Sequence, residues 1–130
     1  MKREQGFTVL ELIISIIFLV VAGTIFFIQK RDLDVANRDS VRKTAINAMY
    51  YNLEDVYYAA HQSYPQALTA DGLPGVDPSL LKDPNGIAVG TQGSDYSYTA
   101  KDCQSNACKS YTLTANLENE ADYKKTSRNQ

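Results

Sequence analysis

The chain has 130 residues, a formal net charge of −2 and a single histidine. Its length leaves room for one domain, and no block of Lys and Arg marks it as a nucleic-acid-binding protein, so direct sequence-specific binding of nucleic acid is disfavoured. The sequence contains no Ser/His/Asp set, no metal-ligand cluster and no phosphate loop, so we predict no catalytic residue, cofactor or metal site.

The first predicted element is a membrane-spanning helix. Residues 7–28 form a nearly unbroken apolar run, and about 20 such residues cross the hydrocarbon core of a bilayer. Five residues interrupt the run: Thr8, Glu11, Ser15, Gly23 and Thr24. The six residues before it do not make a secretory signal, because the run is too long and no small-residue cleavage site follows it. Residues 29–130 must then fold largely on their own.

Glu11 is the informative residue within this run. A carboxylate at the bilayer centre costs about 2.5–3.5 kcal/mol, and such a charge usually has a partner or a function. No Lys, Arg or His lies within a turn or two on the same helix. The partner must therefore come from elsewhere, unless Glu11 is a tolerated charge at the bilayer edge.

The residues around Glu11 resemble the N-terminal motif of a known family. Residues 6–14 read GFTVLELII, which closely resembles the G-F-T-L-x-E-L motif of type IV prepilins and pseudopilins. The resemblance implies that residues 1–6 are a leader, that a prepilin peptidase cuts between Gly6 and Phe7, and that Phe7 is then N-methylated. It also implies that Glu11 pairs with the new N-terminus of an adjacent subunit.

The same resemblance implies a location and a set of partners. The leader would face the cytoplasm, residues 7–28 would span the membrane before assembly, and residues 29–130 would form the exported domain. With the pilus assembly machinery, copies of the chain would polymerise into an extracellular helical filament. The resemblance covers about the first 30 residues.

The helix is expected to continue well beyond the membrane segment. Residues 31–62 contain no Pro or Gly, and Ile46, Met49, Leu53, Val56 and Ala60 recur at helical spacing. One heptad earlier the apolar stripe is interrupted by charged residues, Asp39 and Arg42. The helix should end at residues 63–65, because the residue before proline avoids the helical conformation.

Four tyrosines flank this stripe: Tyr50, Tyr51, Tyr57 and Tyr58. We interpret them as the border of the core, with their rings turned inward and their hydroxyls outward. The alternative is a surface for stacking on DNA or on other subunits. That alternative is disfavoured, because no cluster of Lys or Arg lies beside them in the sequence.

Residues 66–93 are rich in turn signals and form a long connection, with a possible short strand at residues 87–89. Four aspartates lie in or next to it: Asp71, Asp77, Asp83 and Asp95. Some major pseudopilins bind calcium in their exported domains, but the spacing here matches no EF-hand loop. We therefore assign no metal ligand.

Two strands are predicted from alternating side chains, one with Tyr96, Tyr98 and Ala100, the other with Tyr111, Leu113, Ala115 and Leu117. Cys103 and Cys108 lie between them at the expected hairpin tip. We interpret this pair as a disulfide, with free thiols as the alternative. Only residues 124–130 have a composition suggestive of disorder. The predicted fold is α+β, one long helix packed on a small antiparallel sheet.

The sequence is compatible with three functions. The leading hypothesis is a structural subunit of a type IV pilus. The nearest rival is a major pseudopilin of a type II secretion system, and a rival of another class is a monomeric membrane-anchored receptor or enzyme.

Overall fold

The computed structural model describes residues 7–129. Gly6 and the rest of the expected leader, residues 1–6, therefore lie outside the described residues. The chain divides into two compact units, Met1–Val35 and Ala36–Gln130. Its architecture is the expected α+β fold, with one long helix and a small antiparallel sheet.

The described part of the first unit is helical. Helix α1 (Val9–Tyr51) begins directly after Thr8, whose hydroxyl accepts the backbone N–H of Glu11 at 3.3 Å. This is the geometry of a helix N-cap, in which a side-chain oxygen satisfies a free backbone donor. Within the described residues, Val9–His61 is the one helical stretch long and apolar enough to cross a membrane, with a mean hydropathy of 2.7 in its most apolar part.

In the second unit the helical conformation continues beyond the end of α1, as far as His61. A π-helical turn (Asn52–Tyr57) follows α1, and a last turn, α2 (Tyr58–His61), completes the path. Gln62 then adopts a left-handed conformation with φ of 52°, which stops the helix. The predicted end at residues 63–65 is therefore correct to within two residues.

The sheet has four strands: β1 (Tyr64–Pro65), β2 (Tyr96–Gln104), β3 (Ala107–Ala115) and β4 (Tyr123–Thr126). Strand β3 is central and pairs antiparallel with all the others. A two-residue turn joins β2 to β3, and both of its residues have positive φ, 48° at Ser105 and 69° at Asn106. Positive φ at both positions is the requirement of a type I′ turn, whose twist suits a hairpin.

The first three residues of the predicted apolar stripe lie in the core, and the last two do not. Ile46, Met49 and Leu53 are fully buried, and each such side chain contributes about 1.5–3 kcal/mol. Val56 is 46% exposed and Ala60 is also exposed, so their assignment to the core was wrong. The π-helical turn explains the error, because its wider i→i+5 pattern rotates the following residues away from the expected face.

Three further expectations are corrected by the structure. Residues 124–126 belong to β4 rather than to a disordered tail. Residues 87–89 do not form a strand, and only an isolated bridge joins Ala88 to Lys82. The buried face of the helix continues through Asp39 and Arg42, where the apolar stripe is interrupted, since both charged side chains are buried.

Candidate functional site

The predicted assembly residues lie at the start of helix α1. Phe7 is 76% exposed, and Glu11 is exposed in the first helical turn. Among residues 7–129, no cationic side chain lies within ion-pair distance of the Glu11 carboxylate. Cleavage after Gly6 stays a prediction, because Gly6 lies outside the described residues. Methylation of Phe7 would follow that cleavage and stays a prediction as well.

A local role for Glu11 was missed in the sequence. Thr8 and Glu11 have the spacing of a capping box, in which a Thr side chain receives the N–H of the third helical residue, usually Glu or Gln. The structure contains the Thr8 half of this motif. An acidic residue in the first turn also stabilises the helix through its dipole, by about 0.3–1 kcal/mol.

Around Glu11 the helix presents apolar side chains to its surroundings. All the large hydrophobic side chains between Phe7 and Ile28 are about half exposed or more. Monomeric soluble proteins rarely expose so extended an apolar surface, and such a surface marks a site of contact with lipid or protein. The Glu11 carboxylate therefore lies within an apolar surface that lipid or protein must cover.

A buried ion cluster is the main polar feature of the second unit. Arg42, only 4% exposed, donates to Asp39 at 2.8 Å, to Asp95 at 2.8 Å and to Glu118 at 2.8 Å. Asp39 also accepts the backbone N–H groups of Glu118 and Asn119. The cluster therefore ties the segment after β3 to the helix.

The charges of this cluster are reflected in the acidities of its carboxyl groups. Burial raises the pKa of Asp39, but the backbone donors of Glu118 and Asn119, together with Arg42, outweigh it and leave the pKa below its ordinary value. Hydrogen bonds from Arg38 and Arg42 lower the pKa of Glu118 to about 2. Both carboxylates are thus held in their charged form at neutral pH.

A second buried carboxylate, Glu54, lies in the π-helical turn. It accepts hydroxyl hydrogen bonds from Tyr111 at 2.8 Å and Tyr64 at 3.0 Å, and the backbone N–H of Arg128 at 3.2 Å. Burial and the bond to Glu54 raise the pKa of Tyr111, so its hydroxyl stays protonated and donates. With three donors, this carboxylate is satisfied and anchors β1, β3 and the end of the chain.

Tyr50 and Tyr51 have basic neighbours in the structure. A stacking surface was disfavoured because no Lys or Arg cluster lies beside them in the sequence, and that argument does not hold in the folded chain. Lys125 lies 5.2 Å from the ring centre of Tyr50, and Arg128 lies over both Tyr50 and Tyr51. Arg128 also forms an ion pair with Asp55 at 2.9 Å. These cations hold the C-terminal segment against the helix, and the ion pair with Asp55 partly neutralises the charge of Arg128.

Cys103 and Cys108 form the expected disulfide, and they face each other across the β2–β3 hairpin next to its turn. Their pairing braces the hairpin tip. The disulfide is consistent with an oxidising compartment.

The aspartates of the connecting stretch do not converge on a metal site. Within residues 7–129, no group of three or more His, Cys, Asp or Glu side chains is positioned to hold a metal ion. Asp83 instead accepts the backbone N–H groups of Asn85, Ile87 and Asp95, and the Asp77 side chain accepts that of Ser79. These carboxylates stabilise turns.

Comparisons of the chain with protein-family models, with curated proteins and with solved structures found no match. Functional assignment therefore depends on the motif at residues 6–14 and on the physical features described above.

Proposed function

We propose that this chain is a structural subunit of an extracellular helical filament of the type IV pilus class. After removal of residues 1–6, the chain polymerises through its apolar N-terminal helix. It performs no catalysis of its own, and its membrane insertion precedes assembly.

One observation carries the proposal: Glu11 is a carboxylate without a cationic partner among the described residues, within an exposed apolar helix. Burying an ion without a partner costs several kcal/mol, so covering this helix favours a pairing of Glu11 with a cation from outside the described residues. Cleavage after Gly6 would create an α-ammonium group on Phe7. Supplied by a neighbouring copy, that group pairs with Glu11 and sets the register between subunits.

The second unit also supports the proposal. It has its own buried core and a disulfide. Such a unit remains folded while the apolar helix exchanges lipid contacts for contacts with other subunits. The pseudopilin alternative shares these features, and no observation in the described residues favours it.

The test is electron microscopy of material sheared from the surface of cells that make the chain, compared with cells that lack its gene. We expect filaments that contain the chain in the first strain and none of these filaments in the second. Retention of the chain in the membrane fraction, with no sheared filaments, would contradict the proposal and favour the pseudopilin or the membrane-anchored monomer.

A further inference from the structure

An apolar groove lies in the second unit, between the last helical turns and residues 65–80. It consists of three cavities of about 350, 360 and 360 Å³. Neighbouring cavities share Val56 or Tyr57 in their lining, so the three lie in a row. On the helix side the lining extends from Ala48 to His61, which is about 20 Å at 1.5 Å per residue. A groove of this length can receive a short segment of another chain.

The groove contains the two stripe residues that the core does not cover. Val56 is 46% exposed and Ala60 is exposed, because the π-helical turn rotates them away from the core. Val76 and Leu80 of the connecting stretch also line the groove. Adjacent exposed apolar side chains mark a surface for contact with another molecule, and π-helical turns occur frequently at functional sites. This part of the groove therefore favours an occupant with apolar side chains.

The charged residues of the groove are all acidic. Asp55, Asp71 and Asp77 line it and are exposed, whereas no Lys or Arg is part of its lining. Asp55 pairs with Arg128 at 2.9 Å, but Asp71 and Asp77 have no cationic side chain within ion-pair distance in the part of the chain that the structure describes. Two uncompensated carboxylates beside an apolar groove attract cationic groups and repel anionic ones.

A buried amide at the same groove lacks a hydrogen-bond donor. Asn52 is only 8% exposed and lines the cavity that also contains Asp55 and Asp77. Its Nδ2 donates to the backbone oxygen of Pro74 at 2.6 Å, whereas its Oδ1 has no partner among the described residues. Buried acceptors are nearly always paired, so an occupant that supplies a donor here is favoured. Ammonium and guanidinium groups are strong donors that never accept.

We propose that this groove binds a segment of another protein in which Lys or Arg side chains are interspersed with apolar ones. The apolar side chains cover Val56 and Ala60, and the cations pair with Asp71 and Asp77. This binding does not depend on the proposed filament, because every residue involved belongs to the second unit of one chain.

A second copy of this chain is a poorer occupant. The most basic segment of the second unit, residues 124–128, contains two lysines and one arginine but no large apolar side chain. Lys125 and Arg128 of this segment already lie over the ring of Tyr50, and Arg128 is paired with Asp55. The segment therefore cannot supply both the charge and the apolar surface that the groove favours.

The test uses the full chain in uncharged maltoside micelles and an amphipathic peptide of about 14 leucine and lysine residues, long enough to span the groove as a helix. The backbone amide signals are followed by NMR. We expect saturable shifts at Val56, Ala60 and Asp77 with this peptide and none with a matched peptide that has glutamate in place of lysine. No shifts with the lysine peptide, or equal shifts with both peptides, would overturn the proposal. Shifts of the same signals on raising the protein concentration alone would assign the groove to a second copy and would also overturn it.

Variants of the chain locate the binding, since the micelle takes up the peptide equally for each of them. Asp71→Asn combined with Asp77→Asn should lower the affinity about tenfold and reduce its dependence on salt. Asp102→Asn combined with Asp122→Asn changes the net charge equally at exposed positions outside the groove and should leave the affinity unchanged. Val56→Thr keeps the shape of an exposed side chain, should also weaken binding, and serves if the first double variant does not fold. Wild-type affinity in both groove variants would contradict the assignment.

Discussion

Replacement of Glu11 separates its two candidate roles, a charge partner for another subunit and a local support for the helix end. In the filament, the α-ammonium of Phe7 would be surrounded by apolar helices and would lose its partner in Glu11→Ala. Breaking one side of a buried ion pair typically costs about 3–5 kcal/mol. Even the lower value weakens each subunit contact more than about a hundredfold, so long filaments should be lost.

Glu11→Gln distinguishes the two roles most sharply. The observed cap bond runs from the backbone N–H of residue 11 to the Thr8 hydroxyl, so it persists after the substitution, and glutamine is also accepted at this position of a capping box. A purely local role would therefore leave assembly almost intact. Loss of the favourable interaction with the helix dipole accounts for only about 0.3–1 kcal/mol. An amide cannot neutralise an ammonium group, so we expect Glu11→Gln to be defective in assembly like Glu11→Ala.

The assay compares the membrane fraction with sheared surface filaments for each variant expressed in cells that lack the native chain. Both variants should insert into the membrane at least as well as the wild type, because removing a charge from an apolar segment favours insertion. Ser15→Ala, one turn further along the same helix, is the matched control and should assemble normally. Filaments of normal length from Glu11→Gln would refute the charge-pairing argument.

Three further predictions concern the second unit. Arg42→Met should lower the free energy of unfolding by about 3–5 kcal/mol, because it leaves the buried Asp39 without its cationic partner. Lys43→Met, which removes an exposed ion pair with Glu120 on the same helix, should cost about 1 kcal/mol or less. Urea denaturation measures both variants, and equal losses would contradict the argument. The pKa values of Asp39 and Glu118 are lowered in the fold, so both carboxylates contribute fully to stability above their unfolded pKa values of 3.8 and 4.5. This contribution should decrease as the pH falls below those values, and that of Glu118 should be lost as the pH falls through its folded pKa of about 2. Thermal melting across this range tests the prediction, and a pH-independent melting temperature would count against the cluster. Peptide mapping without reductant should recover the two cysteines as one linked pair, and full alkylation of both would show that the exported protein lacks the bond.

Periodicity in the sequence was sufficient for the elements that are long and locally patterned. Strands β2 and β3 each have nine residues, with apolar side chains at alternate positions, and both were predicted. Strands β1 and β4 have two and four residues, which is too short for an alternating pattern to be recognised. Their positions depend on pairing with β3, which no local pattern encodes.

The buried charges show a different limit. Asp39 and Arg42 lie on the core-facing side of the helix, although in the sequence they interrupt the apolar stripe. Their partners Asp95 and Glu118 are between 53 and 79 residues away in the chain. A buried ion pair of this kind is stable only when tertiary contacts complete it, so it cannot be recognised before the fold is known.

Within the candidate site, the sequence was informative about chemistry and incomplete about local geometry. Glu11 stood out because a charge in an apolar run is costly. The T-x-x-E spacing from Thr8 to Glu11 was also present and would have predicted the N-cap that the structure contains. By contrast, the π-helical turn has no comparable sequence signal, which is why the exposure of Val56 was not anticipated.

Intact-mass spectrometry of filaments sheared from cells tests the central claim most directly. If the chain is a processed filament subunit, its mass should correspond to residues 7–130 with one methyl group on Phe7 and a closed disulfide. The same mass should be missing from a strain without the gene. Filaments whose subunits retain residues 1–6, or that lack this chain altogether, would contradict the account.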